Sequence, residues 1–164
     1  MTYRSQVLLI ALFIGLVFVF IIWSYRPTVD SVMADFHAAE GRAEDMLMDP
    51  LILNADLVKY RVIEEVRNPK MDKRRYAIGF LGNERIAEAM PVLLQILHDK
   101  SEKEYFRGDA LESIFRIDKS EGRRLAAHYS AEGGYLGELA REILDGSYMP
   151  FQRTHEEARV GHHE

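Results

Sequence analysis

From residue 5 to residue 25 no side chain carries a charge, and residues 7–23 (VLLIALFIGLVFVFIIW) are apolar on every face a helix could present. About 21 residues at ~1.5 Å of rise span ~31 Å, close to the hydrocarbon thickness of a bilayer. The pattern therefore predicts a single transmembrane helix over residues 7–25, opening at Val7 behind a short flank, 1–6. Tyr3, Trp23 and Tyr25 stand where an aromatic belt would, and Arg4 and Arg26 bracket the span. Gly15, with Ala11 one turn before it, offers only a weak small-residue packing face. Two other readings remain, a cleaved signal peptide and a core helix. A signal peptide would have a shorter apolar run ending in a small-x-small site, whereas this run ends in Trp-Ser-Tyr-Arg-Pro.

Beyond Pro27 the pattern changes. Residues 28–53 read as an acidic juxtamembrane helix and linker: Thr28 is a capping residue, Asp30 follows early, and Met33, Phe36, Ala43 and Leu47 recur at helical spacing over 28–47. Residues 54–147 form a series of helix-length apolar patterns separated by short polar turns, with almost no alternating strand signal, so the fold class is all-α. The tail, 148–164, is polar and lacks apolar periodicity, which predicts disorder.

The 54–147 segment repeats itself. Arg74-Arg75-Tyr76-Ala77-Ile78-Gly79-Phe80-Leu81 overlays Arg107-Gly108-Asp109-Ala110-Leu111-Glu112-Ser113-Ile114, with Ala77 on Ala110 and Leu81 on Ile114 at an offset of 33 residues. A weaker copy places Ala140 and Leu144 at the same positions, 30 residues further on. A second helical pattern precedes each copy, and small alanines at the repeated position let neighbouring helices approach closely.

These residues resemble the HEAT-like repeats, particularly the short type of the phycobilisome lyases. The match is best over residues 72–117, with Arg-Arg-x-Ala-x-x-x-Leu-Gly from Arg74, Met-Pro-Val-Leu-Leu-x-x-Leu from Met90 and Arg-x-x-Ala-Leu-x-x-Ile from Arg107. The resemblance implies a short α-solenoid of helical hairpins, and an arginine at 74 and 107 paired with an acid of a neighbouring turn. It departs from the pattern in about three extra residues between Gly82 and Pro91, and in a third repeat that lacks the arginine. Such repeats serve as adaptors, subunits and occasional enzymes, so function is not implied by the fold.

A formal net charge of −5 and a pI near 5.7 give no overall basic field for nucleic acid. With no cysteine in the chain, disulfides, thiolate metal sites and cysteine nucleophiles are excluded. No catalytic, cofactor-binding or metal-binding constellation stands out, and no small-molecule substrate is evident. Gly82, followed by Asn83, reads as a helix C-cap, and the tail residues His155, His162 and His163 as part of a disordered terminus. The local cationic concentration, Lys59, Arg61, Lys70, Lys73 and Arg75, is the candidate partner-binding surface, for an acidic protein or anionic lipid.

The expectation is a single-pass, membrane-anchored protein-protein interaction module, an accessory subunit or adaptor whose partners are the bilayer and proteins at or in it. The alternatives are an enzyme resembling the repeat-containing chromophore lyases, or a membrane-bound regulator. Lysines and arginines are nearly balanced across the span, with a slight lean towards an extracytoplasmic domain.

Overall fold

The computed structural model describes residues 13–17, 26–38, 41 and 43–161. Among them there is no strand, and helices are the regular structure. The elements are α1 (Val29–Ala38), a 3-10 turn (Glu44–Met46), α2 (Asp49–Leu53), α3 (Ala55–Glu65), α4 (Arg74–Asn83), a second 3-10 turn (Ala87–Ala89), α5 (Met90–His98), α6 (Glu104–Ile117), α7 (Lys119–Tyr129), α8 (Gly134–Asp145) and α9 (His155–Gly161).

Residues 13–17 are helical, and Phe13, Ile14, Leu16 and Val17 are all exposed. Nothing lies within 4 Å of where a Cβ on Gly15 would stand. The rest of the expected span, with Tyr3, Val7, Trp23 and Tyr25, lies outside the described residues. Among the described residues no helix is long and apolar enough to cross a membrane.

The helix after Pro27 begins as its sequence predicts. Thr28 and Ser31 cap it reciprocally: the Ser31 amide donates to Thr28 Oγ1 at 3.1 Å, and the Thr28 amide donates to Ser31 Oγ at 2.9 Å. Val32, Met33 and Phe36 are buried. The helix does not reach residue 47, however; α1 stops at Ala38, and Gly41 takes a left-handed φ of 82° before the chain resumes in the 3-10 turn.

In the region that repeats in sequence, one row of helices is defined by its packing. It is α4, α6 and α8, with α4 packed on α6 and α6 on α8; α5 and α7 pack against α6, and α7 against α8. Phe80, Leu81, Leu93, Leu97, Leu111, Ile114 and Leu136 fill the seam and are fully buried, each contributing about 1.5–3 kcal/mol of transfer free energy. Ala77, Ala110 and Ala140 are fully buried at the repeated small position. Asp118 alone connects α6 to α7 and caps the latter, accepting from the amides of Ser120 (2.9 Å) and Glu121 (3.0 Å).

Two sequence expectations are corrected here. Gly82 lies inside α4 rather than capping it: a Cβ there would stand 2.6 Å from Ser113 Cα, so the glycine permits the close approach of α4 and α6. The residue with positive φ after α4 is Arg85. The tail, expected to lack structure, carries a helix among the described residues. Thr154 and Glu157 form a reciprocal capping box, with the Thr154 amide donating to Glu157 Oε2 at 2.7 Å and the Glu157 amide donating to Thr154 Oγ1 at 3.2 Å. They start α9, which packs on α2 with Ala158 fully buried.

Candidate functional site

The repeated arginines are structural. Arg74 Nε donates to the Val66 carbonyl at 2.7 Å, just past the end of α3, and its Nη1 pairs with Glu102 in the next turn. Arg107 repeats this one unit on: Nε donates to the Leu97 carbonyl near the end of α5 at 3.0 Å, and Nη1 meets Glu132 at 3.2 Å. In the third unit Gly137 holds the arginine's place, and Arg141, one turn later, donates to the Ser130 carbonyl at 2.9 Å beyond α7. Each guanidinium thus satisfies a carbonyl that a helix end leaves unpaired.

The residues of the cationic concentration are mostly engaged. Lys59 pairs with Glu88 at 2.9 Å, and Arg61 with Glu65 at 2.5 Å. Lys73 donates to the carbonyls of Phe36 (3.1 Å) and His37 (2.7 Å) at the end of α1. Lys70 is exposed. Arg75 is half-exposed and turns into a different place altogether, the inner groove along α4 and α6.

That groove holds a cavity of about 440 Å³. α4 contributes Arg75, Tyr76 and Gly79; α6 contributes Asp109, Glu112 and Arg116, whose spacing puts them on one helix face. Glu44 and Met48 close one side, and Phe151 from the tail another. Asp109 is buried and accepts from Arg75 Nε at 3.1 Å and from the Tyr135 hydroxyl at 3.4 Å. Burial pushes its carboxyl up to about 6; the Arg75 charge opposes the shift and Glu112 adds to it. Burial and the Asp109 charge likewise push the Tyr135 hydroxyl up to about 12. Tyr76 donates to Glu44 at 2.8 Å, and burial followed by that bond raises its pKa.

Arg116 spans the groove floor. Its Nη2 pairs with Glu112 at 3.1 Å and also donates to the Phe151 carbonyl, and Nη1 donates to Asn83 Oδ1 at 3.4 Å. Its Nε is buried without a hydrogen-bond partner among the described residues. Among the described residues that line it, the cavity offers carboxylates, guanidinium groups and the Tyr76 phenol beside an apolar wall.

At the far end lies the pair that sequence reasoning missed. Arg153 and Asp49 are both buried and meet in a two-point ion pair, Nε to Oδ1 at 2.8 Å and Nη2 to Oδ2 at 2.7 Å. They are 104 residues apart in the chain. The only local sign of this closure is Thr154-x-x-Glu157, a helix start inside a polar tail. Elsewhere in the tail, His155 meets Glu84 at 3.1 Å; His162, His163 and Glu164 lie outside the described residues. No family model, curated protein or solved structure matches the chain.

Proposed function

We propose that the chain is a membrane-anchored, non-catalytic protein-protein interaction module, an accessory subunit or adaptor of a larger membrane complex, whose helical hairpins form a short HEAT-like solenoid. The observation that carries this reading is the apolar helix at residues 13–17, whose large side chains are left uncovered: Phe13 is 68% exposed and Leu16 61%. They belong to a run that is apolar from 7 to 23, and such a surface needs a lipid or protein environment. The arginine clasps shared by successive units support the repeat reading. Stacked repeats offer a long binding face without a catalytic pocket, and tethering raises the effective concentration of partners at the bilayer.

Vesicle flotation tests the anchor. The full chain should float with phosphatidylcholine vesicles and resist carbonate extraction, while a chain lacking residues 1–26 should stay at the bottom. A full chain that is extracted by carbonate, or that purifies alone from mild detergent and behaves as the shortened one does, sinks the proposal. Asp109, a buried acid shifted to about 6 beside a cavity, is what favours the second reading, an enzyme resembling the chromophore lyases. A chromophore-transfer assay that yields no adduct removes it.

A further inference from the structure

Residues 148–154 cross the inner groove without forming a helix, and between 148 and 157 only Arg153 is buried. Beyond Tyr148, which packs against the core, Met149 is 89% exposed and Phe151 62%, so the rest of the strap is not held by apolar burial. What holds it is a set of side chains reading its backbone. The Asn83 amide makes both bonds of an extended residue at once: the Arg153 amide donates to Oδ1 at 3.1 Å, and Nδ2 donates to the Arg153 carbonyl at 2.9 Å. Arg116 donates to the carbonyl of Phe151, two residues earlier. Two contacts are specific to a side chain: Tyr148 packs edge-on against Phe115 at the start of the strap, and Arg153 sits in the carboxylate of Asp49, a buried acid that accepts a planar, two-point cation far better than any other group. Contacts of this kind grip any extended backbone and select for one arginine. The groove also continues past Phe151 as the open cavity, where Glu44, Asp109 and Glu112 alternate with Arg75 and Arg116.

We infer that this groove is a recognition site for an extended segment of a partner protein carrying an arginine, and that the chain's own Phe151-Gln152-Arg153 occupies part of it in cis. The inference rests on the interaction-module reading and specifies where the partner binds and what it must present. Partner binding then requires displacement of the strap, and the strap lowers the apparent affinity by the fraction of time it is seated.

The test uses the full-length chain in mild detergent and a fluorescein-labelled synthetic peptide of residues 147–161 as the probe, read by fluorescence anisotropy. Arg153→Ala loosens the strap while leaving Asp49 and Asn83 in place, so the variant should bind the peptide roughly tenfold or more tightly than the natural chain does. Replacing the arginine of the peptide by alanine should abolish that gain. Equal binding by both chains, or by both peptides, overturns the proposal. Should Arg153→Ala unfold by circular dichroism, hydrogen exchange on the natural chain decides. Saturating peptide should speed exchange of the Arg153 and Ala158 amides and leave those of α4 and α6 protected; an unchanged strap counts against the site. A natural chain that runs as a dimer by light scattering, and as a monomer once Arg153 is replaced, would seat a second copy there and overturn the partner assignment. Vesicle flotation of Arg153→Ala should match that of the natural chain, so a failure of this site and a failure of the anchor give different results.

Discussion

The first two repeat units and the third solve one problem from different positions. In the first two, an arginine on the first turn of the inner helix reaches back to a carbonyl at the end of the preceding helix and forward to a glutamate in the next turn. In the third, a Cβ at position 137 would stand 1.9 Å from the Glu132 carbonyl oxygen, so no side chain fits there; Gly137 fills the place and Arg141 makes the carbonyl contact one turn later. What the architecture requires is a cation on the helix end, and the residue that supplies it shifts when the turn closes in. The forward pairing differs as well. Glu102 is nearly buried at 9% side-chain exposure, whereas Glu132 is 40% exposed.

That gradient predicts a ranking. Arg74→Ala leaves Glu102 charged and almost buried without its partner, and should lower stability by about 3–5 kcal/mol. Arg107→Ala should cost about 1–2 kcal/mol, since water reaches Glu132, and Arg141→Ala about 1 kcal/mol or less. Urea unfolding midpoints at constant slope measure all three, and an Arg141→Ala as damaging as Arg74→Ala would break the comparison.

The three units also meet at Asp109, where Arg75 and Tyr135 converge from the helices on either side. With its pKa raised to about 6, the folded protein binds this proton more tightly than the unfolded chain does. The contribution of Asp109 to stability should therefore fall as pH rises from about 4 through 6, by about 2–3 kcal/mol, and Asp109→Asn should lack that decline relative to the natural chain. Paired urea titrations at acid and neutral pH give the difference directly; parallel profiles would refute it. Gly82→Ala and Gly137→Ala should each cost about 1–3 kcal/mol, because backbone atoms rather than flexible side-chain ends oppose the new methyl. Thermal melts that leave Gly137→Ala unchanged would remove the steric account of the third unit. The smallest effect belongs to Lys70→Ala, an exposed site, where the same melts should move by no more than about 0.5 kcal/mol.

Sequence pattern carried the helical class, because apolar spacing at 3.6 residues survives without knowledge of neighbours. It also carried the equivalence of Arg74 and Arg107, since both the arginine and the alanine three residues later recur. It failed where contacts are polar and remote. Asp49 and Arg153 leave no periodicity, and a tail gripped through its backbone looks unstructured in sequence. Gly82 reads wrongly as a cap for a related reason: a glycine near a helix end suits one, and the Ser113 that explains it lies 31 positions away. Lys59 and Lys73 of the cationic concentration are drawn to different places by partners distant in the chain, Glu88 and the carbonyls at the end of α1.

Only Arg26, Pro27 and Thr28 separate the uncharged N-terminal run from the first turn of α1, and Val32 is already in the core. Three extended residues reach about 10 Å. On the anchored reading proposed above, that is a leash shorter than the domain is wide. The helical stack would ride against the head groups at a fixed height, presenting its groove to whatever passes in a thin layer over the bilayer and to nothing beyond it.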